Sequence, residues 1–245
     1  MMSKEYNGYE PEKEPLKNTI SKKWNDFINY CKNNKKKILI AFGIFFAVAF
    51  VAILIDQLTK TFLFEWNEEH NGGKIGKVYY EGTLLGIRSV GHYGVTFIPS
   101  VENKKGALIF IQFLSILILL SLLLVPLLSR HLTTIIICAI IWAGDFGNML
   151  DRFMFNMMVK DIFYVPFMEK WTGKVLGTFN FADLCIVLGC ISLVLFFVIE
   201  MILDKRREDT HQEAQEIIDA IQEDNSQNNT VENDPKEEQE DNKKE

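Results

Sequence analysis

The hydrophobic residues of this chain are gathered into four long runs, and most charged residues lie before, between or after them. The first run, Ile38–Ile55, has 18 residues without a charge, which would measure about 27 Å as a helix. Because about 20 apolar residues cross the hydrocarbon of a bilayer, such a run predicts a transmembrane helix. The four expected spans are residues 38–58, 107–128, 132–150 and 181–203.

The polar stretch between the first two spans, residues 61–106, has a different pattern. It contains several glycines, an "NGG" at Asn71, and pieces such as "KVYY" and "VTFI", which are typical of short strands and turns. Only Ser129–His131 separate the second and third spans, which predicts a tight helical hairpin. The pattern therefore predicts an all-α membrane protein: four transmembrane helices with a small extracytoplasmic β-rich cradle between helices 1 and 2.

Both ends of the chain are polar, and we divide it into an extension (1–37), a four-span core (38–203) and a tail (204–245). Apolar residues recur at helical spacing over residues 19–33, beside several lysines. This pattern is compatible with a basic amphipathic helix on the membrane surface or with a solvated basic linker. Residues 208–245 hold fourteen Asp or Glu and three Lys, so this segment alone has a charge of −11. The net charge of the whole chain is −6. That composition predicts a mostly disordered tail, with room for a short helix over "HQEAQEIIDAIQ".

Basic residues near the span ends predict the orientation. Lys35–Lys37 precede the first span, Arg130 lies in the hairpin, and Lys205–Arg207 follow the fourth span. Four spans place all three groups on one side, so we expect both termini in the cytoplasm. The first run follows 37 polar residues and lacks a cleavage pattern, so we expect a retained span rather than a removable signal peptide.

Acidic residues at membrane depth are the main chemical signal. Asp56 ends the first span, Asp145 and Asp151 lie late in the third, Asp183 opens the fourth, and Asp161 lies in the loop before it. Ionisable groups in membrane segments are costly and usually functional. Two carboxylates that share a site cannot both ionise easily. One can then take a proton from water while the other protonates a carbonyl oxygen, which is aspartic peptidase chemistry.

The same acids also have purely structural interpretations. Asp56 and Lys60 are spaced for an interfacial salt bridge, and Asp151 is next to Arg152 at a loop end. Asp183 has the position of a helix N-cap, where a carboxylate satisfies free amides and suits the helix dipole. No Cys or His spacing resembles a disulfide framework or a metal site, so we expect no metal and no cofactor.

Five short motifs follow one another in the chain: "DQLTK" (Asp56–Lys60), "HYGVTF" (His92–Phe97), "GNMLDR" (Gly147–Arg152), "VKDIF" (Val159–Phe163) and "FNFAD" (Phe179–Asp183). Over about residues 38–203 they resemble the lipoprotein signal peptidase (signal peptidase II) family, with its motifs D-Q-x-x-K, N-x-G-x-x-F, G-N-x-x-D-R, V-V-D-F and F-N-x-A-D. The resemblance implies an aspartyl endopeptidase of the bacterial cell membrane with its active site near the outer face. It would cleave diacylglyceryl-modified prolipoproteins before the lipidated cysteine and release the signal peptide.

The resemblance also implies roles for individual residues. Asp161 and Asp183 match the catalytic pair. The supporting or substrate-binding residues would be Asp56, Lys60, His92, Gly94, Asn148, Asp151, Arg152 and Asn180. The implied partners are lipid-modified prolipoproteins and membrane lipid, with no nucleic acid, and we expect a monomer.

The sequence departs from the family pattern in three places. His92 stands where the family usually has Asn, and Lys160 replaces the second Val of V-V-D-F. Asp145 adds a carboxylate where a small residue is usual, and we expect it at a helix end, facing water. Two other classes stay open: a small transporter or ion-relay protein, with acids spread across the membrane depth, and a catalytically inactive scaffold of the same fold.

Overall fold

The computed structural model of the chain describes residues 16–66, 78–93 and 105–231. Within these ranges the backbone forms helices and short strands. In chain order they are α1 (Leu16–Asn33), α2 (Lys35–Leu63), β1 (Val78–Glu81), β2 (Gly86–Tyr93), α3 (Lys105–Leu122), α4 (Val125–Leu128), α5 (Leu132–Met154), β3 (Met158–Tyr164), α6 (Pro166–Thr172) and α7 (Phe181–Val231).

Four stretches of helix are long and apolar enough to cross a membrane, which confirms the predicted four-span fold. They are Lys35–Leu63, Lys105–Leu128, Leu132–Met154 and Phe181–Gln222. All four extend beyond the predicted limits at one end or both, because the helices continue into the polar residues that flank each apolar run. The predicted hairpin lies between α4 and α5.

Helix α5 packs against both α2 and the first part of α7. Small residues allow this close approach: Ala49 of α2 and Ala139 and Ala143 of α5 belong to one buried cluster. A Cβ atom on Gly144 of α5 would lie 2.5 Å from the carbonyl oxygen of Ala182 in α7. Any larger side chain at Gly144 would therefore separate α5 from the start of α7.

The outward faces of these helices are covered with large apolar side chains, as expected for helices in contact with lipid. Phe50 of α2, Phe110 of α3 and Leu188 of α7 are each more than half exposed. Charged and amide side chains such as Asp56, Lys60 and Asn148 are instead buried. This inversion of the usual soluble-protein pattern agrees with a membrane location.

The three strands form one antiparallel sheet in the order β1-β2-β3. Strands β1 and β2 confirm the β-rich region between the first two spans, whereas "NGG" and "VTFI" lie outside the described residues. Strand β3 was missed, because the segment between α5 and α7 was interpreted as a loop. It pairs with β2 so that Asp161 lies opposite Val90 and Val159 opposite His92.

The chain divides into two compact units, Met1–Leu193 and Val194–Glu245. In the second unit, the helix continues to Val231, where the sequence predicted a mostly disordered tail with a short helix. No Gly or Pro occurs between Cys190 and Val231, so nothing in the sequence interrupts the helix. In the first unit, α1 is helical over residues 19–33, for which the sequence left open a membrane-surface helix or a solvated linker. Its place on a membrane surface stays a prediction.

Candidate active site

Lys60, near the end of α2, lies at the centre of a buried polar network. Its Nζ is 2.9 Å from Asp56 Oδ2 and 2.9 Å from Asp151 Oδ2. It also donates a hydrogen bond of 3.1 Å to Asn148 Oδ1. Lys60 is 1% exposed, so its three N–H groups are matched by three acceptors while water is excluded. A buried charge needs such complete pairing to be tolerated.

Asp56 connects α2 to the start of α7. Its Oδ1 accepts a 2.9 Å hydrogen bond from the backbone N–H of Ala182, one of the amides that a helix N-terminus leaves free. A Cβ atom on Gly147 would lie 2.6 Å from Asp56 Oδ2, so the glycine of "GNMLDR" leaves room for this carboxylate. The salt bridge predicted from Asp56 and Lys60 exists, but it is buried rather than interfacial.

Asp151 connects α5 to strand β3. Its Oδ2 accepts the backbone N–H of Lys160 at 3.1 Å as well as the Lys60 ammonium. One of the two interpretations of Asp151 was a loop-end pair with Arg152; the residue lies instead within α5, one turn before the helix ends at Met154. The turn that follows has positive φ at Asn156 (52°) and Met157 (69°), which brings β3 back beside the helix.

Asn180 and Asp183 cap α7 reciprocally. Asn180 Oδ1 accepts the backbone N–H of Asp183 at 2.9 Å, and Asp183 Oδ2 accepts the backbone N–H of Asn180 at 3.1 Å. This is the arrangement of a capping box, here with Asn and Asp in place of Ser or Thr and Glu. The interpretation of Asp183 as the N-cap residue is therefore wrong. The N-cap position is that of Asn180, which precedes the helix, and Asp183 lies in the first turn of α7.

The two carboxylates matched to the catalytic pair are held by two asparagines, of which Asn180 contacts both carboxylates and Asn148 contacts Asp183. Asn180 Nδ2 lies 2.9 Å from Asp161 Oδ1, and Asn148 Nδ2 donates a 2.9 Å hydrogen bond to Asp183 Oδ1. The asparagines also contact each other, at 3.1 Å between Asn180 Nδ2 and Asn148 Oδ1. Asn180 thus touches both Asp161 and Asp183, and it joins this pair to the Lys60 network through Asn148.

Asp161 and Asp183 differ in their surroundings. Asp161 is 1% exposed, whereas Asp183 is half-buried. Burial raises the pKa of Asp161 well above its ordinary range, and the Asp183 carboxylate raises it further, against opposing effects of Lys60 and Asn180. Asp161 is therefore the member of the pair whose environment favours a bound proton.

A small cavity of about 160 Å³ lies beside Asp183, and its lining combines aliphatic side chains with polar and charged ones, among them His92 and Arg152. Burial lowers the pKa of His92, against the opposing effect of Asp183. The imidazole is therefore neutral near pH 7 and offers both a donor and an acceptor to the cavity. The structure thus brings His92, Arg152 and Asp183 together, whereas Gly94 of the same motif as His92 lies outside the described residues.

Asp145 lines the same cavity. The prediction that it ends a helix and faces water is wrong, because α5 continues to Met154. Asp145 is half-buried, and its Oδ1 accepts a 2.5 Å hydrogen bond from the Ser115 hydroxyl of α3. This departure from the family pattern therefore adds an acid to the cavity beside Asp183, although nothing in the spacing of the motifs indicated its partner.

Asp183 also borders a second cavity, which is larger and apolar. It measures about 390 Å³, and its walls include Val165, Met168 and Phe179 before α7 and Leu184 within it. Asp183 therefore borders two cavities: the smaller one has other charged side chains in its lining, and the larger one has apolar residues around Asp183.

Arg88, which the sequence analysis missed, fixes the wall of this apolar cavity. It is 2% exposed and makes an ion pair of 3.0 Å with Glu169 of α6. It also donates hydrogen bonds to Thr178 Oγ1 at 2.7 Å and to the Leu176 carbonyl oxygen at 2.8 Å. Its guanidinium carbon lies 4.2 Å from the centre of the Tyr164 ring. The segment between α6 and α7 is thus tied to the sheet.

Lys160 was noted only as a departure from V-V-D-F, and the structure gives it a packing role. Its Nζ lies 3.9 Å from the centre of the Phe155 ring and 5.9 Å from those of Phe64 and Trp66. Such cation–π contacts attach β3 to the end of α2. Burial lowers the pKa of Lys160. Phe155 is five residues from Lys160, but Phe64 and Trp66 are more than 90 residues away, so no local pattern indicated that the three rings meet at this lysine.

The fold and the site together define a polytopic membrane protein with a buried carboxylate network at one end of its helices. The family model described as "Signal peptidase (SPase) II" matches residues 48–199. Because this match covers more than half of the chain, the chain belongs to the signal peptidase II family. The family resemblance inferred from the five motifs is thereby confirmed.

Similar proteins agree with this assignment. A lipoprotein signal peptidase of Treponema denticola is 29% identical over 187 residues, which cover 73% of this chain and 99% of that protein. One from Chlorobium phaeobacteroides is 27% identical over 161 residues, or 62% of this chain and 88% of that protein. A solved bacterial membrane enzyme structure is similar in fold, with a TM-score of 0.50 at 20% identity, covering 65% of this chain and 90% of that one.

Proposed function

We propose that the protein is a membrane aspartyl endopeptidase that removes signal peptides from diacylglyceryl-modified prolipoproteins by cleaving before the lipidated cysteine. Membership of the signal peptidase II family supports the removal of signal peptides from lipoproteins. The observation that carries the aspartyl mechanism is the double contact of Asn180, with Asp161 through its side chain and with Asp183 through the reciprocal cap.

In the proposed mechanism, Asp183 is the base and Asp161 the acid. Both Asp183 oxygens accept hydrogen bonds from N–H groups, which suits a charged carboxylate. Asp183 takes a proton from water as the water oxygen attacks the scissile carbonyl carbon, and Asp161 gives its proton to the carbonyl oxygen. The tetrahedral diol then collapses: Asp183 passes its proton to the leaving nitrogen as the C–N bond breaks, and a hydroxyl returns a proton to Asp161. The pair is restored, and no covalent intermediate forms.

The position of Asp183 between two cavities supports a substrate that crosses it. The smaller cavity, of about 160 Å³, offers His92 and Arg152 to backbone or polar groups of the substrate. The apolar cavity of about 390 Å³ offers a surface for apolar parts of the substrate. A lipid-modified peptide has both kinds of group close to the bond to be cleaved, so the two spaces suit that substrate class.

We also propose that the site lies near the outer face of the bacterial cell membrane and that both termini are cytoplasmic. Asp56 follows Lys37 in α2 by 19 residues, a rise of about 28 Å, which is close to the hydrocarbon thickness of about 30 Å. The basic Lys35–Lys37 group and the carboxylate network thus belong to opposite membrane faces, and the positive-inside tendency places the lysines in the cytoplasm.

The experiment is cleavage of a diacylglyceryl-modified prolipoprotein by the reconstituted full chain, followed by signal-peptide release on a gel. We expect Asp161→Asn and Asp183→Asn each to lower the rate by about 10²–10⁴-fold, the usual contribution of a general acid or base. The matched control is Asp204→Asn, the same chemical change at an exposed position, and it should cleave at the parent rate.

Two results would contradict the proposal. If either active-site variant cleaves at the parent rate, the carboxylate pair is wrongly assigned. If the parent does not cleave the lipidated substrate while a known lipoprotein signal peptidase does so in the same assay, the chain is an inactive scaffold of this fold.

A further inference from the structure

A third cavity, of about 560 Å³, lies where α1 ends, α2 begins and the α4–α5 turn passes by. Among its lining residues are Asn34, Lys37, Ser129 and Arg130. This cavity shares no lining residue with the two cavities beside Asp183. It therefore calls for an explanation of its own.

Helix geometry places this cavity near the membrane surface that is remote from the carboxylate network. Along α2, Lys37 and Asp56 are 19 residues apart, and along α5, Leu132 and Asp151 are also 19 residues apart, each a rise of about 28 Å. A bilayer has about 30 Å of hydrocarbon. If the carboxylate network lies at one boundary of the hydrocarbon, this cavity lies at the other, at the level of lipid headgroups.

The cavity carries two positive charges that come from separate parts of the chain. Lys37 and Arg130 are both exposed. Within the described ranges, no carboxylate lies at salt-bridge distance from either of them. The Asn34 side-chain amide is already used, since it donates to the Tyr30 carbonyl oxygen at 3.0 Å. The two cations thus remain available to an anion at the cavity.

Below the charges the lining is apolar. Ile38, Ala41 and Ile44 on α2 face the cavity from one side, and Pro126 and Ile135 face it from the hairpin side. An inorganic anion would gain nothing from these side chains. An amphiphile with an anionic head and hydrocarbon chains would satisfy both the charged and the apolar parts of the lining.

We propose that this cavity binds an anionic phospholipid, with its phosphate between Lys37 and Arg130 and an acyl chain along the apolar wall. Guanidinium groups bind phosphate oxygens in a bidentate manner, and lysine adds a point charge. Basic pockets between transmembrane helices are known sites for anionic headgroups. The bound lipid would hold the end of α1 and the hairpin together, and it requires nothing of the proposed peptidase chemistry.

The test is lipid binding to the purified full chain, measured by native mass spectrometry with phosphatidylglycerol and phosphatidylcholine as probes. Each basic residue near an anionic lipid surface strengthens binding by a modest factor, so two of them predict about 30-fold tighter binding of phosphatidylglycerol. We expect the double variant Lys37→Gln/Arg130→Gln to lose this preference. The control Lys32→Gln/Lys36→Gln removes the same charge from exposed positions, and it should keep most of the preference for phosphatidylglycerol, because neither lysine lines the cavity.

A second variant distinguishes lipid binding inside the cavity from electrostatic attraction of lipid to the protein surface. It also keeps the proposal testable if the charge variant does not fold. Ala41→Phe keeps every charge but fills the apolar wall, so we expect it to weaken phosphatidylglycerol binding. A merely electrostatic surface would be unaffected by it. Equal losses in both double variants, or no preference for phosphatidylglycerol in the parent, would overturn the proposal.

Competition distinguishes a lipid from a free anion. Inorganic phosphate or glycerol phosphate should not displace phosphatidylglycerol at equal concentration, since neither has a hydrocarbon chain. Displacement by either would show a simple anion site and would overturn the lipid assignment. None of these measurements depends on cleavage, so they can fail or succeed independently of the proposed peptidase activity.

Discussion

Two ion pairs on the transmembrane helices have similar sequence spacing and very different surroundings. Asp56 and Lys60 on α2 are one helical turn apart, with 2.9 Å between their charged atoms and side-chain exposures of 0% and 1%. Asp204 and Arg207 on α7 are also about one turn apart, at 3.2 Å, with exposures of 61% and 71%. An acid and a base one turn apart therefore indicate nothing about function until burial is known.

A third pair lies between these extremes. The charged atoms of Arg88 and Glu169 are 3.0 Å apart, and the two side chains are 3% and 18% exposed. The two residues come from distant parts of the sequence. The loss of free energy of unfolding on breaking an ion pair should therefore increase with the burial of that pair. Removing one partner of a buried pair costs about 3–5 kcal/mol, whereas an exposed pair contributes about 0–1 kcal/mol.

The largest effect should come from Lys60→Met. This change leaves Asp56 and Asp151 buried without their cation, and we expect it to lower the free energy of unfolding by about 3–5 kcal/mol. Denaturant unfolding in a fixed detergent measures it. Arg207→Met is the matched control and should change stability by no more than about 0.5 kcal/mol. If the two variants lose equal stability, burial does not distinguish the pairs.

The intermediate pair gives the second prediction. Arg88→Lys keeps the positive charge but cannot maintain the ion pair with Glu169 together with the hydrogen bonds to Thr178 and the Leu176 carbonyl. We expect a loss of about 1.5–3 kcal/mol, the range for hydrogen bonds to charged groups, and faster hydrogen exchange over residues 165–180. Lys170→Met, in a pair with exposures of 71% and 49%, is the control. Unchanged exchange in Arg88→Lys would show that this arginine does not hold the segment.

Arg88 also shows where prediction from sequence ended. The four spans and the hairpin were predictable because each run of apolar residues has the length of a bilayer. The family was predictable because five motifs occur in order. Arg88, in contrast, belongs to no motif, and its partners lie 81 to 90 residues away. No local pattern reports such a contact.

Two further misses have different physical causes. Asp161 was placed on a loop, because residues 151–180 show no regular alternation of apolar and polar residues. The segment around Asp161 forms a strand because it pairs with β2. Asp145 was expected at a helix end, facing water, in a segment that also contains Gly144 and Gly147. Those glycines serve close packing, against Ala182 and against the Asp56 carboxylate, and α5 continues past them. Tertiary contacts overrode the local signal in both cases.

The third prediction concerns how the free energy of unfolding depends on pH through Asp161, a buried acid that forms no salt bridge among the described residues. Burial raises the pKa of Asp161, so the folded protein holds a proton that the unfolded chain releases above about pH 4. Stability therefore falls as pH rises from about 4 towards the folded-state pKa, by at most about 1.4 kcal/mol per pH unit. Asp161→Asn lacks this loss, so its stability relative to the parent should improve as pH rises. Unfolding at pH 4, 6 and 8 measures the difference, which Asp204→Asn should not show; a difference independent of pH would contradict the assignment.

The fourth prediction separates the two roles of Asn180. Asn180→Ala removes the cap and the contact with Asp161, and we expect a loss of about 1 kcal/mol together with a fall in cleavage of about 10²-fold from misplacement of the acid. Asn180→Ser retains a capping oxygen but is too short to reach Asp161. We expect it to recover most of the stability and little of the activity. If serine restores both, Asn180 acts only as a cap.

The smallest effect should come from the exposed pair itself. Asp204→Asn removes a carboxylate whose partner remains in water, so we expect a change in the free energy of unfolding of at most about 0.5 kcal/mol. Cleavage of the lipidated substrate should remain at the parent rate. A clear loss of cleavage with unchanged stability would mean that α7 beyond Leu203 contributes to the reaction, although residues 204–222 are all exposed. In that case burial alone would be an insufficient guide to which ion pairs of this protein matter.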